Sequence, residues 1–269
     1  MLRQPAVANQ FYPGIPRQLA ATIKVMTPEV AETEKTPALA VISPHAGYIY
    51  SGPVAAETFA RVQVPENVVI LGPNHHGLGA SLAIMSEGAW AMPFGEVPIN
   101  HNLSELLKTH IPQAQEDASG HRHEHSLEVQ VPFLQTAQEK LTISPLVVSL
   151  LDFASCKSIG RGLAKAIRAY GHQVLMVAST DMTHYRSRAT ASRQDHLALE
   201  QITALNPEGL YRTVVEHQIS MCGFIPTTIT LVAALELGAT RAELVRYSDS
   251  GEASGDTDRV VGYAGLIIT

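Results

Sequence analysis

Apolar and polar positions along the chain alternate between two patterns. Short runs rich in β-branched residues occur at 38–43, 67–71, 142–149 and 173–179. These runs are continuous rather than alternating, which predicts parallel strands covered on both faces. Residues 81–86 predict a further strand, and 242–248 and 259–268 predict two more that close the chain. Between them, helical spacing predicts helices ending near residue 25 and over 52–62, 125–138, 154–169, 187–203, 207–217 and 225–237. Pro53 suits the first turn of its helix. Asn102, three residues before Glu105, predicts another helix start with a capping box. The stretch from Trp90 to Gly95 reads as a loop, and 112–125 as polar and turn-like. Strands alternating with helices, with no linker or repeat, predict one α/β domain over 1–269. Its central sheet is mixed, mostly parallel and flanked by helices.

Composition narrows the function. The chain has 269 residues, 45% of them hydrophobic and only 16% charged, enough for a sizeable core. A net charge of −6 and the lack of long Lys/Arg runs argue against a nucleic-acid partner. No apolar run approaches the ~20 residues of a membrane span. The opening residues lack the apolar core of a secretory signal. Two cysteines, Cys156 and Cys222, cannot form a disulfide framework, so a cytoplasmic setting is expected.

Candidate chemistry concentrates where strands end. One strand runs into Pro44-His45-Ala-Gly, another into Gly72-Pro-Asn74-His75-His76, and a third into Ser179-Thr-Asp181-Met-Thr-His184. Open α/β sheets place their sites at such carboxyl edges. Two imidazoles delivered to neighbouring edges can converge on a metal ion. Adjacent His75 and His76 cannot both face one site from an extended backbone. Residues 121–128, His-Arg-His-Glu-His-Ser-Leu-Glu, add three histidines. His121 and His123 read as a solvated loop. His125 is the better site candidate, beside Glu124 at an expected helix start. Asp181 can orient His184 for proton transfer, or cap a helix. Cys222 precedes a helix, where the dipole favours thiolate, a nucleophile or soft metal ligand. Cys156 reads as ordinary packing.

Taken in order, Pro-His45-Ala-Gly-Tyr, Gly-Pro-Asn-His75-His76, Glu124-His125-Ser-x-Glu128, Ser-x-Asp181-x-x-His184 and Cys222-Gly resemble the Memo family, named for a mediator of receptor-driven cell motility. The opening Pro5-Ala-Val-Ala-Asn-Gln-Phe-Tyr-Pro and the closing Val261-Gly-Tyr-Ala-Gly are also similar to that family. The resemblance implies a fold like that of class III extradiol dioxygenases, which use non-haem Fe(II). It also implies His45, His75 and Cys222 as metal ligands, with His125, Asp181 and His184 lining the same pocket. A thiolate in place of a carboxylate favours copper or zinc more than the dioxygenase site does. Iron or copper is expected ahead of zinc. Memo-like microbial proteins often accompany a radical-SAM protein, which implies a partner in a shared pathway.

Three readings follow. The first is a redox metal protein acting on an unidentified small substrate. The second is a non-catalytic module that uses a relic pocket to bind a peptide or protein. The third is a metal-free thiol enzyme with Cys222 as nucleophile.

Overall fold

The computed structural model describes residues 1–269. Its core is a nine-stranded mixed sheet. Four parallel strands form the centre, in the order Ala40–Ser43, Val174–Ser179, Asn67–Pro73 and Thr142–Val148. All four are built from Val, Ile, Leu, Ala and Met with few polar interruptions, because helices and loops cover both faces. Val260–Ile268 joins antiparallel to Ala40–Ser43, and Ala242–Asp249 and His184–Arg186 pair with it in turn. Leu82–Ile84 and Gln115–Glu116 continue the other edge.

The helices Phe153–Tyr170 and Phe224–Leu237 pack one face of the sheet, in a core with Ile42, Leu71, Leu146 and Met176. Helices Pro16–Met26 and Tyr48–Ala60 cover the other, with Val41, Ile70, Val147 and Val177 beneath them. The chain does not divide. Strands from its start, middle and end share one sheet. No helix is long and apolar enough to cross a membrane.

Several sequence expectations are corrected. Trp90 lies in a strand: Ala89–Met92 turns through Gly95, at φ 119°, into Gly95–Pro98. Leu2–Arg3 adds to this hairpin in parallel. The helix near 102 is His101–His110, and its cap is Asn100. The Asn100 Oδ1 accepts from the Leu103 amide at 3.0 Å, while its Nδ2 donates to Asn67, Thr142 and Tyr170. The helix placed at 52–62 begins at Tyr48, so Pro53 lies inside it. The helix placed at 125–138 is shorter, a 3-10 turn at Glu128–Gln130 followed by Val131–Ala137. Residues 121–127 are irregular because their polar groups are spent on tertiary bonds.

Those bonds centre on a buried ion pair. Arg3 Nη1 meets Glu128 Oε2 at 2.7 Å, and both side chains are almost fully buried. Arg3 also donates to the carbonyls of His121 and Glu124, and its guanidinium lies 4.2 Å from the Trp90 ring centre. Glu128 accepts further bonds from the amides of Ala6 and Val7 and from the Tyr12 hydroxyl. His121 is therefore buried rather than solvated, with its Nε2 3.1 Å from the Ala83 carbonyl and its ring edge-on to Trp90. Burial, then the Arg3 charge, pull its pKa down to about 4. His123 is exposed, as expected for a loop.

Glu128→Gln leaves the Arg3 charge buried without its counter-ion, which costs about 3–5 kcal/mol when one partner of a buried pair is lost. A urea titration reads this loss as a lowered midpoint. An unchanged midpoint would show that the pair does not hold the fold.

Candidate metal centre

The site lies at the carboxyl ends of the central strands. Ala40–Ser43 delivers His45, Asn67–Pro73 delivers His75, and Val174–Ser179 between them delivers Asp181. The segment 121–130 crosses over these ends and adds His125. It is pinned there by its own polar groups. Ser126 Oγ donates to the Pro73 carbonyl at 3.1 Å, Gln130 Nε2 donates to the Pro44 carbonyl at 2.8 Å, and Tyr48 Oη donates to the Val129 carbonyl at 2.8 Å.

His45, His75 and His125 each offer a nitrogen, and these donor atoms lie within 4.8 Å of one another. The rings of His75 and His125 stack at 4.6 Å, while His45 meets both edge-on at 5.2 and 5.5 Å. Phe11 backs His125 with a centroid distance of 4.8 Å.

Hydrogen bonds at Nδ1 set the tautomers. Ser179 Oγ donates its only hydrogen to the Ser126 carbonyl at 2.6 Å, and accepts from Gln130 Nε2 at 2.8 Å. Towards His45 Nδ1, 2.9 Å away, it can therefore only accept. His45 carries its proton on Nδ1, and its Nε2 lone pair faces Cys222 Sγ at 3.3 Å. Glu124 does the same for His75, with Oε1 2.9 Å from Nδ1. The other carboxylate oxygen of Glu124 accepts from the His75 amide at 2.7 Å. A carboxylate or hydroxyl behind each ring is the support that metal-ligating histidines use.

Electrostatics favour the neutral form of His45 and His125. Burial, then the neighbouring His125, His75 and His184, hold the His45 pKa well below its ordinary value. Burial is also the main cause that brings His125 down to about 4, against the opposing pull of Glu124. Burial raises the Glu124 carboxyl, but His75 and Ser126 outweigh it and bring it to about 2.

Cys222 sits against this group. Its Sγ lies 3.3 Å from His45 Nε2 and accepts from the Asp181 amide at 3.2 Å. The approach requires Gly223. A Cβ there would lie 2.3 Å from the Ser179 carbonyl. The expected dipole-lowered thiolate is not found. Burial, then the Asp181 charge, push the Cys222 thiol well above its usual range. Burial also pushes Cys156 up to about 12, in the core.

Asp181 caps no helix. Its Oδ1 accepts from the His45 amide at 2.7 Å, and burial raises its carboxyl to about 6. His184 is half-buried at the rim, with Nδ1 donating to the Ser220 carbonyl at 2.8 Å. Its Nε2 has no hydrogen-bond partner in the protein. His75, not His76, has its ring nitrogen beside those of His45 and His125, so His75 is the inward member of the pair.

Residues 3–267 match the family described as Memo-like protein. The chain belongs to the Memo family. A MEMO1 family protein of Aquifex aeolicus is 40% identical over 267 residues, covering 99% of this chain and 98% of the relative. One from Methanopyrus kandleri is 39% identical over 279 residues and covers 99% of both. Among solved structures, an uncharacterized protein of Escherichia coli K12 shares the fold, with a TM-score of 0.57 and 15% identity. It covers 84% of this chain and 98% of its own.

The Memo site thus gathers His45, His75, His125, Cys222 and Asp181. The sequence places His125 only among the residues lining the pocket, and the structure sets its nitrogen with those of His45 and His75. It missed Ser179 and Gln130, which set the His45 tautomer. The serine was visible as the last residue of its strand, in register with Ser43.

Cys222 of the metal-free protein is expected to react with iodoacetamide at neutral pH more slowly than free cysteine, because its thiol stays protonated. Mass-spectrometric labelling rates check this. Faster labelling than free cysteine would restore the thiolate.

Proposed function

We propose that this Memo-family protein is a mononuclear metal protein with a redox role on a small substrate. His45, His75 and His125 hold the metal, with Cys222 as a fourth donor. The observation that carries this reading is the pair of fixed tautomers. Two imidazoles have Nδ1–H engaged by Ser179 and Glu124, so both present Nε2 lone pairs where a third histidine nitrogen also lies. A neutral histidine set with a nearby thiol suits iron or copper, and a carboxylate-free set of this kind would not suit magnesium or calcium. Bound iron or copper would supply one-electron chemistry and an open position for a small ligand.

The chain's own residues would handle binding and protons. His75 is exposed and His125 half-buried, so the group opens to solvent on one side. His184, whose Nε2 has no hydrogen-bond partner in the protein, can exchange a proton at the rim. The Asp181 carboxyl, raised to about 6, can exchange one close to neutral pH. The raised thiol argues against a metal-free nucleophile at Cys222.

Elemental analysis of untagged protein tests the reading. Near-stoichiometric iron or copper is expected in the wild type and none in His45→Ala. Equal metal in both would refute it. Glu124→Gln should bind metal about 10–100-fold more weakly, the usual cost of losing the partner behind a ligating histidine. Cys222→Ala should fold normally and hold metal less tightly. An unchanged affinity would assign the metal to the histidines alone.

A further inference from the structure

Beside the central group stands a second pair of histidines that the proposed centre does not use. His76 follows His75, and His123 lies two residues before His125. Their rings approach to 6.3 Å between centroids at 67°. Both residues are exposed. Neither ring is held by a protein hydrogen bond or ion pair, unlike His45, His75 and His184.

The two rings are close enough for one ion to reach both. An ion about 2 Å from one nitrogen of each of two imidazoles leaves ring centres about 4.5–5.5 Å apart at bond angles of about 90–120°. The observed separation is about 1 Å wider, a gap that rotation of two exposed side chains without hydrogen bonds closes with no backbone movement. The backbone fixes the relation between the two pairs. His75 and His76 are consecutive, so one turns in and the other out. The stacking of His75 on His125 brings the two segments together and thereby sets His76 beside His123.

We propose that His76 and His123 form an outer docking site for the incoming metal ion, from which it passes to the central histidines. The inference rests on the metal-centre reading of His45, His75 and His125. Two exposed imidazoles, with water completing the shell, bind a borderline divalent ion weakly and release it readily. The central group adds a third histidine and a thiol and so retains it. Transfer replaces His76 and His123 by His75 and His125, one bond at a time. No redox step is required.

The test uses Co(II) chloride as probe and the full-length apo-protein under anaerobic conditions. Stopped-flow absorbance follows loading of the central group. His76→Ala/His123→Ala should load about tenfold more slowly than wild type, because it loses the high local concentration of docked ion. Its final stoichiometry and dissociation constant should be unchanged. Equal loading rates would overturn the proposal. A second measurement separates this proposal from the central reading. In His45→Ala, which breaks the inner group, Co(II) should still selectively broaden the imidazole NMR signals of His76 and His123. Absence of that broadening would overturn the docking site even if the wild type holds one central ion. Its presence alongside an empty central site in the wild type would refute the relay and the metal centre together.

Discussion

The buried Arg3–Glu128 pair is the constraint on which the site depends. Charges buried this deeply are tolerated only when every partner is in place. Here Arg3 spends its donors on Glu128 and on the carbonyls of His121 and Glu124, and Glu128 takes four bonds in return. The result ties the first dozen residues to the segment 121–128. That segment has no regular structure of its own, so its shape is borrowed. Once it is fixed, Glu124 stands behind His75, His125 faces His45, and Ser126 can take the hydroxyl bond that sets the His45 tautomer.

The site therefore combines two kinds of support. Parallel strands give His45, His75 and Asp181 their positions through sheet register, which is stiff and long-range. The crossing segment gives His125 and Glu124 theirs through side-chain bonds, which demand complete satisfaction. The two meet at Ser179, where a strand's last hydroxyl bonds the crossing segment and an imidazole at once. Few residues have so many geometric obligations, and the protonation pattern of the histidines follows from them.

The sheet was legible in the sequence because continuous β-branched runs have one physical explanation, burial on both faces. His45, His75 and Asp181 were legible for the same reason, as polar residues placed directly after such runs. What could not be read was tertiary. The hairpin around Trp90 has apolar residues that match no clear strand period, and it forms because Leu2–Arg3 pairs beside it. His121 looks solvated among Arg, Glu and His neighbours, yet Arg3 and Trp90 bury it. Asn100 outcompetes Asn102 as a cap because its amide also bridges a strand and a helix. Cys222 shows the same limit. Its place before a helix predicts a lowered pKa, and the burial that reverses it comes from residues some forty positions away.

The order of strands in the sheet has a consequence for how the protein comes to be made. Val260–Ile268 does not lie at an edge. It enters between His184–Arg186 and Ala40–Ser43, and so completes the pairing of a strand emitted more than two hundred residues earlier. During synthesis, the strand that carries His45 waits with one side of its backbone unpaired until nearly the whole chain has left the ribosome. Non-local pairings of this kind close slowly and expose strand edges meanwhile. Nascent chains should thus have a period in which the imidazoles are present but not yet gathered. The site as a geometric arrangement thus belongs to the finished chain alone.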